Sequence, residues 1–175
     1  MIKMRNALAA SLVLGWVAWP TSAAAQLESE VYEDWAVRCV ERGALPPCDM
    51  VQFATHNESG EPVMQFSVAH AGREESYGIQ IMVPLGVRLS AGVAIRVDDG
   101  PPLVDFRFTR CEVTGCFIEQ VVAADALEPF QVGVTGVLAV LDRAGQPLVI
   151  PLSFKGFTKA RAVMTERNLQ WAKGS

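Results

Sequence analysis

The sequence predicts an all-β fold, an antiparallel β-sandwich of about ten short strands with a C-terminal helix and two local disulfides. Three observations carry that expectation. Apolar and polar residues alternate with a period of two along most of the chain, and turn-forming residues interrupt the alternation at short intervals. The four cysteines fall into two tight pairs, Cys39 with Cys48 and Cys111 with Cys116.

Residues 1–25 read as a cleaved export signal and stand outside the fold. Lys3 and Arg5 form a basic start, an apolar run covers 7–19, and Pro20-Thr21-Ser22-Ala23-Ala24-Ala25 supplies the small residues that precede a cleavage site. The run falls short of the roughly 20 apolar residues that span a bilayer, so no transmembrane anchor is expected. The leader lacks a cysteine at the cleavage site and a twin arginine. The predicted address is the periplasm or the exterior, by a Sec-type route.

Removing 25 of 175 residues leaves 150, expected to form one β domain over 26–175. Lys3 and Arg5 leave with the leader, so 13 basic residues face 19 acidic ones and the net charge is −6. The basic residues are scattered, which argues against nucleic acid as a partner and against docking on anionic lipid.

Strands are predicted at 31–40, 49–55, 63–71, 77–83, 87–89, 93–97, 103–110, 116–123, 134–141 and 147–154. The first alternates Trp35, Val37 and Cys39 against Asp34, Ala36 and Arg38, as a strand with one buried face does. Turn chemistry separates the strands, for example Pro84-Leu85-Gly86 and Asp98-Asp99-Gly100-Pro101-Pro102. Residues 123–130 have the composition of a short helical crossover that Pro129 stops. A better helix covers 157–168, with Phe157, Ala160 and Met164 on one stripe. It is expected to cover an open end or edge of the sandwich.

In an oxidising compartment an even cysteine count points to disulfides, and four cysteines allow three connectivities. Local pairing is preferred. Thr114-Gly115 lies where a tight turn between Cys111 and Cys116 is needed, and a glycine with two prolines bends the loop between Cys39 and Cys48. Zinc is disfavoured, because neither spacing is C-x-x-C and no histidine lies near either pair. Thiol redox catalysis lacks the same motif.

A set of ordered motifs carries a resemblance. They are Asp34-Trp35-Ala36-Val37-Arg38-Cys39; Cys48-Asp49-Met50-Val51-Gln52; residues 83–93 with Pro84, Gly86 and Gly92, followed by Asp98; residues 108–116 with Cys111, Gly115 and Cys116; and Lys155-Gly156-Phe157-Thr158-Lys159-Ala160. In this order the chain resembles the invasion-associated locus B family over about 35–160. The resemblance implies an exported bacterial envelope protein with a disulfide-bearing, mostly β domain. It brings no catalytic residues with it.

Read physically, the motif residues have structural roles. Trp35 shares a strand face with Cys39 and is expected in the core near the first disulfide. Pro84, Gly86 and Gly92 end and begin strands. Gly156 and Phe157 mark the passage into the helix, with Phe157 as its anchor.

The polar inventory supports no enzyme. His56 reads as a solvated turn residue and His70 as a satisfied strand residue, and no Gly-x-Ser-x-Gly elbow accompanies either. Asp98-Asp99 falls short of the six to eight oxygens of a calcium site and reads as a polar turn. No catalytic, metal or cofactor site is expected. The favoured function is a non-enzymatic interaction module with a protein partner in the cell envelope or on a host surface. The alternative is a periplasmic small-molecule or glycan carrier. Trp35 and Trp171 are the only tryptophans left for sugar stacking after the leader is removed.

Overall fold

A computed structural model describes residues 28–55, 60, 62–72 and 74–174. The reading of 1–25 as an export signal and that of His56 as a turn residue lie outside the described residues.

Among the described residues eleven strands form two antiparallel sheets. The larger begins as a meander: β1 (Glu28–Tyr32), β2 (Trp35–Cys39), β3 (Cys48–Thr55), β4 (Pro62–His70) and β5 (Ser76–Val83). It continues with β9 (Gly115–Ala123) and ends on β8 (Phe108–Glu112). The smaller runs β11 (Pro147–Ser153), β10 (Thr135–Leu141), β6 (Val93–Val97), β7 (Leu103–Phe106). The mostly antiparallel β fold expected from the alternation is therefore present, with eleven strands in place of ten.

The alternation decides which side chains meet. Along β5, Tyr77, Ile79, Ile81 and Val83 are buried while Gly78, Gln80 and Met82 on the opposite face are not. The buried set joins Trp35, Val37, Met50, Phe66 and Ile118 of the large sheet to Ile95, Leu138, Ile150 and Leu152 of the small one in a single core. Each such side chain stabilises the fold by about 1.5–3 kcal/mol.

Helix α2 (Phe157–Gly174) places Phe157, Ala160, Met164 and Asn168 inward against β1–β4. It therefore lies over strands of the large sheet, whereas the sequence suggested a cover for an open end or edge. It also runs six residues past the expected end, through a last turn carrying Lys173, where a cation suits the helix dipole.

Other boundaries correct the expectation in instructive ways. The single strand expected at 31–40 is a hairpin, with β1 and β2 joined by Glu33-Asp34 and Tyr32 paired to Trp35. Glu33 has φ +53°, which a glycine would normally supply, so the turn carried no visible signal. The strand expected at 87–89 is one bridge, Val87 to Asp142, followed by a 3-10 turn at Leu89–Ala91. The strand expected at 103–110 breaks at Arg107, where the chain passes from the edge of the small sheet, β7, to the edge of the large one, β8. Pro129 does not stop the crossover. It sits in the first turn of α1 (Glu128–Val132), where its missing N–H costs nothing, after a 3-10 turn at Ala124–Leu127.

Candidate interaction face

One face of the large sheet packs on the core; the other carries an ordered polar surface. Register fixes its rows. Across the strands run Ala36, Val51, Ser67, Gln80 and Glu119 in one row, and Phe53, Gln65, Met82, Phe117 and Arg110 in the next. A third contains Arg38 and Asp49 on β2 and β3, then Ala69, Gly78 and Val121 on β4, β5 and β9.

Charge is concentrated at the two sides of this face. On the β2–β3 side, Arg38 donates to Asp49 Oδ2 at 2.5 Å and Arg42 donates to Asp49 Oδ1 at 2.8 Å, so one buried carboxylate holds two guanidinium groups. Each bond is charge-assisted, and the pair fixes the arginine heads on the sheet. On the β9–β8 side, Arg110 lies 4.3 Å above the Phe117 ring, donates to Glu112 at 2.7 Å and pairs with Glu119. Gln80 also donates to Glu119, at 2.9 Å. Arg110 and Gln80 hold the Glu119 carboxyl below the usual range, and the two glutamates hold Arg110 more firmly protonated.

Between the charged sides, Ala69 and Gly78 are register partners with almost no side chain, and a groove of 360 Å³ lies there. Its walls include Arg42, Asp49, Glu119 and Val121. Val121 is 77% exposed and Phe53 48%, both on this face.

The residues singled out from the sequence lie elsewhere. Cys39 bonds Cys48 and Cys111 bonds Cys116, each bridge joining register partners on adjacent strands with Cα atoms 4.1 and 4.0 Å apart. The hairpin turn inside the second is Val113-Thr114, one residue earlier than the Thr-Gly expected, and Gly115 already belongs to β9. A Cβ on Gly115 would lie 2.5 Å from the Val83 carbonyl oxygen, so the position admits only glycine. Gly156, φ +83°, lies against the Tyr32 carbonyl in the β1–β2 turn, too close for any side chain.

Trp35 is fully buried, with Phe66 and Phe157 edge-on to its ring at 5.5 and 4.9 Å and its Nε1 donating to the Ser153 carbonyl at 2.9 Å. Phe157 is fully buried beside it. Pro84 and Gly86 follow β5, and Gly92 closes the 3-10 turn before β6.

His70 is buried; its Nδ1 accepts from the Gly72 N–H at 2.9 Å and its ring meets Tyr77 edge-on. Asp98 turns with φ +44°, and its carboxylate accepts from the Thr135 and Val134 N–H groups and the Thr135 hydroxyl, which hold its pKa below the usual range. Among the described residues no group of three or more His, Cys, Asp or Glu is placed to hold a metal ion. No described helix is long and apolar enough to cross a membrane.

Two residues were missed from the sequence. Asp49, only the first residue of the strand expected at 49–55, is the buried counterion of two arginines. Asn168 looked like the end of an amphipathic helix. It is fully buried, accepting from the Cys48 N–H at 3.0 Å and donating to the Cys48 and His70 carbonyls at 2.9 and 3.1 Å. An asparagine at a helical position that continues the stripe Phe157, Ala160, Met164 was the available signal.

Comparison with known proteins agrees with this architecture. The family described as Invasion associated locus B (IalB) protein matches residues 35–165. The Invasion protein B homolog of Brucella abortus strain 2308 is 27% identical over 134 residues, 75% of each chain, and that of Brucella abortus biovar 1 strain 9-941 matches equally. The crystal structure of invasion associated protein B from Bartonella henselae superposes with a TM-score of 0.68 at 21% identity, covering 79% of this chain and 96% of that one.

Proposed function

The chain belongs to the invasion associated locus B family, and from that membership we propose that it is an exported envelope protein acting as a non-enzymatic interaction module. The observation that carries this reading is the outer face of the large sheet. Its charged groups are held by neighbours, so they meet a partner already oriented and lose little side-chain freedom on binding. Val121 and Phe53 supply apolar contacts beside them. The relatives are called invasion proteins, and that name supports a partner in the cell envelope or on a host surface.

Two further features support the setting. Two disulfides suit an oxidising compartment beyond the cytoplasm, in keeping with the export signal read in 1–25. The core is filled by side chains from both sheets, which favours a surface role over a ligand carried between the sheets.

A photoreactive residue at position 121, introduced in the native cells, tests the assignment. Adducts of higher mass are expected from position 121 and none from position 148, which is exposed on β11. Adducts from 148 with none from 121 would overturn it.

A further inference from the structure

We propose that the partner of this face is a second copy of the chain, in a two-fold dimer whose axis runs along the strands between β4 and β5. The inference rests on the reading of the outer face as the interaction surface and adds what that surface binds.

The argument is self-complementarity. An isologous interface must match itself after a half-turn, and a half-turn about this axis lays β3 of one copy over β9 of the other, and β2 over β8. The two sides of the face differ in sign. Asp49 is only 7% exposed beneath Arg38 and Arg42, whose side chains are 24% and 35% exposed, so the β2–β3 side presents a net positive charge. On the β9–β8 side the outermost groups are Glu112 and Glu119, at 53% and 42%, around a single Arg110 at 38%, a net negative charge. The half-turn brings Arg38 and Arg42 of each copy toward Glu119 of the other, while Glu112, the register partner of Gly115, lies toward the opposite end of the strands.

The neutral positions match as well. In the row Phe53, Gln65, Met82, Phe117 the same rotation sets Phe53 opposite the other copy's Phe117 and Gln65 opposite its Met82. Ala69 and Gly78 flank the axis, where the sheets must approach most closely, and leave room for that approach. Two antiparallel sheets packed face to face with nearly aligned strands are an ordinary arrangement. A two-fold axis across the strands would instead stack Arg38 and Arg42 on their own copies, and like charges oppose it.

Sedimentation equilibrium of the mature chain, without reductant, from about 1 µM to 1 mM tests this. Reversible dimerisation is expected, weakening as salt rises. Arg42→Glu and Glu119→Arg are each expected to raise the dissociation constant at least tenfold; Glu119→Arg, at an exposed position, is expected to do so with the melting temperature unchanged, whereas Arg42→Glu also removes a partner of Asp49 and is expected to melt lower. Mixed together, the two variants are expected to associate again, because both contacts in the mixed dimer then pair opposite charges. Recovery on mixing is an outcome that misfolding cannot imitate.

A monomer at every concentration, a dimer indifferent to both reversals, or a mixture no better associated than its parts would overturn the proposal. If the chain stays monomeric while position 121 still cross-links a different protein, self-association fails and the interaction face stands. If position 121 also captures nothing, both fail.

Discussion

The two faces of the large sheet are made by the same strands and obey different rules. Inward, β5 contributes Tyr77, Ile79, Ile81 and Val83, all nearly inaccessible to water. Outward, the same strand contributes Gly78 and Gln80, and β3, β9 and β8 contribute Asp49, Glu119 and Arg110 in fixed pairs. Inward positions are chosen by volume, and loss of volume is costly. Exposed outward positions are chosen by charge and shape, and a change there leaves the fold standing. Substitutions on the two faces should therefore separate stability from association.

The largest stability effect is expected at Trp35. Trp35→Ala removes the ring between Phe66 and Phe157 and the bond to the Ser153 carbonyl, and should cost about 3–5 kcal/mol in urea unfolding. Asn168→Ala comes next, at about 3 kcal/mol, because it strands the Cys48 N–H and two carbonyls in the core. An unchanged unfolding midpoint for Asn168→Ala would show that water satisfies those groups.

The disulfides follow, at about 2–3 kcal/mol each. The Cys39–Cys48 loop is the longer, with a separation of 9 residues against 5, so Cys39→Ser with Cys48→Ser should lower the melting temperature more than the Cys111 and Cys116 pair of changes. A larger drop from the second pair would reverse that order.

Acid should act next. The folded pKa of Asp98 is depressed, chiefly by the Thr135 N–H, then by the Val134 N–H and the Thr135 hydroxyl. Its stabilisation is complete above the carboxylate's unfolded pKa and is lost as pH falls through the lower folded value. Asp98→Asn should accordingly flatten the acid limb of the stability curve measured by thermal melts, and an unaltered limb would discount the clasp. The smallest stability change belongs to the outer face. Val121→Asp should move unfolding by less than about 0.5 kcal/mol while abolishing association; a destabilised Val121→Asp would blur the distinction between the faces.

Much of the inner face was legible in the sequence, because burial writes itself as a period of two and Phe157, Ala160 and Met164 as a helical stripe. The outer face was not. Glu119 meets Gln80, and Arg110 meets Glu119, only because β9 and β8 return to pair beyond β5, and nothing local encodes that register. Arg107, where the chain changes sheets, was hidden for the same reason. Glu33 was hidden for a local one, a left-handed turn without the glycine that would mark it. Asn168 shows the opposite case, a residue whose position on the apolar stripe was visible and whose role depended on backbone groups far away in the chain.

Native mass spectrometry without reductant, on protein purified from its native cells, tests the central claim most directly when wild type and Val121→Asp are measured side by side. The account predicts that wild type carries added mass from a bound protein chain, that Val121→Asp runs as the bare chain with both disulfides intact, and that the two melt alike. Added mass retained by Val121→Asp, or a bare chain from both, would contradict it.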